Sequence, residues 1–290
     1  MSDDIVIKEG YMYGGWRAPV NIWQGAPGSI HTDDVAQKIG MRGGTIPGTI
    51  HLNLFPPLLI KLFGQRWFEK GSLSIYYTYA TLDREEVRAV IELPPEGADN
   101  VQLRACVEMR DGQTVAKGTV GIGEPEEASY IRKIPLENSP PEEIRILAKT
   151  KAGTELPPQE NVVFTQEQLN RALETITDPI DWYKGSSPWG PSILNPSSMY
   201  GALMFNLTGD RDGPSVGFFG ATELRNVNGP IMAGVTYRKT GRIACVGVSP
   251  KTEFIWMDSE LYEKDSGKPV AEMRHMNRLM KASSPLYQEA

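Results

Sequence analysis

Residues 29–64, SIHTDDVAQKIGMRGGTIPGTIHLNLFPPLLIKLFG, decide the fold. A polar turn ends at His31. Thr32 stands at an N-cap position, and Asp33 and Asp34 fill a first turn where acidic residues suit the helix dipole. Val35, Ala36 and Ile39 make a short apolar stripe that Gly40 stops. Met41 to Gly48 reads as a flexible connector, without the spacing or the lysine of a phosphate-binding loop. From Thr49 to Phe63 apolar residues fall on every side, which predicts a buried helix. Pro56-Pro57 means that it either kinks there or restarts with Pro56 in its first turn, and Gly64 closes it.

Working outward, Ile5-Val6-Ile7 begins a strand, and the Gly-, Pro- and aromatic-rich stretch up to residue 28 reads as an irregular loop. After the helix come β-rich runs at 73–79, 87–93, 101–109 and 114–122. The last two flank the hairpin signal Arg110-Asp111-Gly112-Gln113. Residues 124–160 are acidic and Pro-rich, as expected of a surface linker. Thr165 caps a helix to about Ile176. A Pro/Gly/Trp loop follows, then a short buried helix from Met199 to Leu207. Strands return at 216–224, 234–246, 252–263 and 269–279, the last two flanking the turn Lys264 to Gly267. The halves match in order. GGTIPGTIHLNLFPPLL answers GPSILNPSSMYGALM, and VEMRDGQTVAKGTV answers LYEKDSGKPVAEMRH. A duplicated α+β unit is expected, with boundaries 1–123, 124–160 and 161–290.

At 290 residues with 40% apolar and 23% charged residues, the chain can bury a core without covalent staples. A net charge of −6 and a pI near 5.3 argue against nucleic acid and against an anionic membrane surface. No apolar run approaches the roughly 18 residues of a membrane span, and the N-terminus lacks the pattern of a secretory leader. Cys106 and Cys245 read as small thiols in a reducing cytoplasm. The Asn206-Leu207-Thr208 sequon carries no weight without a secretory route.

One helix against an antiparallel sheet, duplicated, resembles the hotdog fold. The chain is most similar in pattern to double-hotdog proteins of the MaoC-like dehydratase and R-specific enoyl-CoA hydratase superfamily. The likeness covers most of the chain. Gly25, Ile30 and His31 fall in register with the hydratase signature, as does the glycine at Gly48. The family aspartate falls on Ala26, its asparagine on Gly28 and its proline on Ser29. The later His-Gly becomes Pro47-Gly48. GPSILNPSSMYG resembles the corresponding loop of the non-catalytic unit in duplicated members.

The resemblance implies two antiparallel sheets, each wrapping a central helix, and a homodimer. It implies a lyase adding or removing water across a double bond conjugated to a carbonyl, in a small-molecule substrate such as a CoA thioester. His31 would be the general acid/base and Gly48 the backbone donor to the carbonyl oxygen. The helix dipole would favour neutral His31, whereas Asp33 and Asp34 would oppose it, so the sign of its shift stays open. Asp34 is the nearest polar replacement for the lost aspartate, although a role in the cap serves both aspartates equally well. His51 reads either as a core histidine or as a pocket residue. His275 reads as structural. Trp23, Gln24, Tyr183 and Trp189 precede the two helices and either anchor packing or shape a substrate pocket. Three scattered histidines do not make a metal site, and no cofactor is implied. Loss of the aspartate also leaves open a related elimination, a substrate that is not a thioester, a non-catalytic acyl-binding module or partner subunit, and a thioesterase.

Overall fold

The computed structural model describes residues 4–23, 29–176, 178, 180–207 and 211–288. Its strands are β1 (Val6–Lys8), β2 (Tyr11–Tyr13), β3 (Gly71–Tyr77), β4 (Val87–Glu92), β5 (Val101–Met109), β6 (Thr114–Ile122), β7 (Glu155–Val163), β8 (Gly217–Asn226), β9 (Thr236–Val248), β10 (Thr252–Glu263) and β11 (Pro269–Met280). The helices are α1 (Asp33–Lys38), α2 (Pro56–Phe63), α3 (Arg66–Lys70), α4 (Gln166–Leu173) and α5 (Pro196–Leu203).

The strands form one antiparallel sheet of eleven, in the order β1-β2-β4-β5-β6-β3-β8-β11-β10-β9-β7. The order is palindromic about the β3–β8 seam: β4-β5-β6-β3 meets β8-β11-β10-β9. The duplication seen in the sequence is therefore a near two-fold in the sheet. It also corrects the expectation of two sheets. Each half presents its first strand after the helix as an open edge, and pairing Leu73 with Leu224 and Ile75 with Thr222 satisfies both rows of backbone groups.

Hairpin chemistry is local. Gly112 takes φ +86° and Asp111 accepts the Gln113 N–H at 2.9 Å between β5 and β6. Gly267 takes φ +68° between β10 and β11. The apolar stretch is divided. Gly48–Leu54 winds as a 3-10 helix, and α2 restarts with Pro56 at its first turn. Leu52, Phe55 and Leu59 are fully buried in a core shared with Leu73, Ile75, Leu224 and Met257. Thr165 completes a capping box on α4, and Asn195 caps α5 by accepting the Ser198 N–H at 2.8 Å.

Segment 124–160 carries buried anchors as well as polar surface. Ile131, Ile146 and Leu147 are buried, and the buried Glu253 carboxylate accepts the N–H groups of Arg145, Ile146 and Leu147, each at 2.8 Å. β7 ends the sheet with Pro157-Pro158, which only an edge strand tolerates. Both cysteines are free thiols. No described helix is long and apolar enough to cross a membrane.

Candidate functional site

Ser29 makes the turn that presents His31. Its carbonyl accepts the Thr32 N–H at 3.1 Å and the Thr32 hydroxyl at 2.9 Å, while its own hydroxyl accepts the His31 N–H at 3.3 Å. Thr32 thus occupies the N-cap position without capping. Asp33 accepts the Gly44 N–H at 2.7 Å, closing the connector back onto the turn. Buried Asn21 donates to the His31 carbonyl at 3.0 Å. Gly44 packs so closely that a Cβ there would lie 2.5 Å from the His31 carbonyl oxygen.

The connector then supplies the ring's partner. Thr45 donates its N–H to Ile30 at 3.0 Å, and its carbonyl lies 2.6 Å from His31 Nδ1. A carbonyl only accepts, so Nδ1 carries the proton and Nε2 carries the lone pair. Burial lowers the His31 pKa from its ordinary value, and the Thr45 bond opposes this in part. The direction left open by the sequence is downward, and burial is its main cause.

His31, Gly48 and His51 line one cavity of about 240 Å³. Its other walls come from Ile30, Met41 and Thr45–Pro47, from Tyr77–Ala80 at the end of β3, and from Gly217–Phe219 of β8. Both halves therefore build it. Gly48 opens the 3-10 segment, where the first N–H groups have no intrahelical acceptor. A Cβ on Gly48 would sit 3.0 Å from the Tyr77 ring, so glycine permits the helix start to approach that ring. No carboxylate is among the described lining residues.

His51 is buried, with Nδ1 3.2 Å from the Gly48 carbonyl and Nε2 2.9 Å from the Thr81 hydroxyl. Nδ1–H donates to the carbonyl, so Nε2 accepts from Thr81. Burial pulls its pKa down to about 4. His51 is a neutral, satisfied wall residue.

The remaining expectations fall elsewhere. Asp34 is exposed on α1 and does not line the cavity, because the first turn faces solvent. Trp23 lies beside His31, ring centroids 6.0 Å apart, without being a lining residue. Gln24 lies outside the described residues, as do Gly25, Ala26 and Gly28. Tyr183 is buried in the main core, where burial raises its pKa. Trp189 packs on Phe68 and Trp182 and donates to Glu69 at 3.1 Å. The crevice at the start of α5, related to the cavity by the sheet's near two-fold, is closed to about 10 Å³ and lined by Trp67 and Phe68 of α3. Among the described residues no group of three His, Cys, Asp or Glu side chains could hold a metal ion. Sequence reading missed Asn21, Thr45, Tyr77 and Thr81, whose roles arise only from long-range contacts.

No protein-family model matches the chain, and no curated protein does. Solved structures do. A MaoC domain dehydratase from Chloroflexus aurantiacus J-10-fl superposes with TM-score 0.56 at 11% identity, over 94% of this chain and 95% of that one. A conserved Mycobacterium tuberculosis protein with a double hotdog fold gives 0.54 at 12%, over 86% of each chain. A further MaoC-like dehydratase gives 0.54 at 13%, over 93% and 97%. At these identities the likeness shows the fold: the chain has a hotdog fold of the kind found in MaoC-like dehydratases and double hotdog proteins.

Proposed function

We propose that this protein is a carbon–oxygen lyase, a hydratase or dehydratase acting on a double bond conjugated to the carbonyl of a CoA-type thioester. The observation carrying the proposal is the His31–Thr45 bond, which leaves a neutral Nε2 on a ring that lines the same cavity as Gly48. In hydration, Nε2 takes a proton from water as the water oxygen bonds to the β-carbon. Negative charge develops on the thioester oxygen, which accepts a hydrogen bond from the Gly48 N–H. The imidazolium returns its proton to the α-carbon on the same face, and dehydration is the reverse. With no carboxylate among the described lining residues, His31 performs both proton transfers in this reading.

The same reading takes residues 1–123 and 161–290 as the two hotdog units, joined by 124–160, in a cytoplasmic homodimer. Incubation with a panel of enoyl- and hydroxyacyl-CoA esters tests the activity through absorbance at the conjugated thioester band. A second reading, an acyl-binding module, is favoured by the absence of a carboxylate from the described lining. It predicts binding without turnover. Release of free thiol would instead mark a thioesterase.

A further inference from the structure

His275 sits on β11, cross-strand from Thr222 of β8, and is 1% exposed. Burial holds it neutral, with its pKa down to about 3. A neutral imidazole has one N–H and one lone pair. Its Nδ1 lies 2.9 Å from the Thr222 hydroxyl oxygen, and the Tyr77 hydroxyl donates to that same oxygen at 3.0 Å. Thr222 accepts from Tyr77, and handing its own proton to Nδ1 would put the His275 proton on Nε2. Among the described residues that nitrogen has no hydrogen-bond partner. Buried donors in native structures are overwhelmingly paired, because leaving one unpaired forfeits its hydration with nothing in exchange.

Two aromatic rings cover the imidazole. Tyr200 and Phe219 each lie 4.9 Å from it, centroid to centroid. Phe219 also lines the cavity. Phe219 thus touches both the cavity and the imidazole that carries the unpartnered Nε2. The phenyl ring is carried on an irregular stretch. The register of β8 with β11 shifts beside it, where Met276 faces Ala221 and Asn277 faces Phe219. Such bulges re-aim side chains at the margins of sites.

We propose that the cavity continues behind Phe219, and that its ligand is an acyl chain bearing a carbonyl or hydroxyl oxygen beyond the reacting bond. In this proposal His275 carries its proton on Nε2, Phe219 swings aside and the oxygen accepts from that N–H. This rests on the thioester reading of the site and names its substrate class. A pocket built to hydrogen-bond an oxygen rejects the analogue lacking it, because the protein donor is then left unpaired.

Calorimetric binding of saturated CoA thioesters to the full chain tests this without turnover. Plain chains are compared with partners of equal length whose oxygen is moved one carbon at a time. One oxygenated isomer should bind about tenfold or more tighter than its plain partner. In His275→Phe that preference should vanish while plain chains bind as before. Thr222→Val, which keeps the imidazole but removes its Nδ1 partner, should reduce it. In the wild type, ¹⁵N spectra should show the His275 proton on Nε2, with its resonance moving only on addition of the oxygenated ligand. That readout stands even where a variant fails to fold. Plain and oxygenated chains binding equally, or a proton found on Nδ1, would overturn this inference alone. If no thioester binds or turns over, the thioester reading falls and takes this inference with it.

Discussion

His31 donates its Nδ1 proton to the Thr45 carbonyl 2.6 Å away, and that bond decides which nitrogen is free to act as a base. Burial holds the ring's pKa below its ordinary value of 6.5. Hydration kcat/KM should therefore be level above about pH 6.5 and fall on acidification through a single pKa below it. A pH–rate profile checks this. A limb that rises towards acid would mean that the protonated ring is the working form.

Gly44 holds this arrangement in place. Gly44→Ala would push a methyl group against the His31 carbonyl, a backbone atom that cannot rotate away. We expect a loss of about 1–3 kcal/mol in stability and, from a displaced His31, a drop of about tenfold or more in kcat/KM. Gly185, where a Cβ meets nothing within 4 Å, is the control. Denaturant melts and kinetics on both variants separate general damage from local displacement.

Thr81 closes the hydrogen bonding of His51. Thr81→Val leaves Nε2 buried with no donor and should cost about 1–3 kcal/mol, whereas Thr81→Ser should retain most of the stability. Equal stability of the two variants would show that the Thr81 hydroxyl contributes nothing.

Buried neutral histidines make stability depend on pH. His51 and His275 have folded values near 4 and 3, against about 6.5 in an unfolded chain. Below 6.5 the unfolded chain binds protons that the native state refuses. Their contribution is complete above about pH 6.5 and is lost progressively as pH falls towards the folded values, on the order of a few kcal/mol each. Between about pH 7 and about pH 5 these two rings should contribute a slope approaching two protons to the fall in unfolding free energy, with His31 adding to it. A flat profile would place both rings in solvent.

Much of the scaffold was legible because its determinants are local. The spans 101–109, 114–122 and 252–263 coincide with β5, β6 and β10, and the Arg110 to Gln113 turn declares its hairpin. Other features depend on distant partners. β7 hides behind Pro157-Pro158, tolerated only because the strand lies at an edge. The β3–β8 seam joins residues 145 or more positions apart by pairing, as in Tyr76 with Ala221, and no periodicity announces which edges will meet. His31 and Gly48 stood out through their register with a known pattern. Their supports did not. Asn21 reaches His31 across ten residues, and Tyr77 reaches Thr222 across 145. Asp34 attracted attention as a carboxylate near His31 in sequence, yet it lies on the solvent side of α1.

In the proposed reaction His31 Nε2 moves the proton of a water addition or elimination. Purified wild type and His31→Ala, both shown folded by near-ultraviolet circular dichroism, should be compared on enoyl-CoA esters at the conjugated thioester band. Measurable turnover by the wild type and a loss of about 10²–10⁴-fold in kcat for the variant are expected. Equal rates for the two proteins would contradict this role of His31.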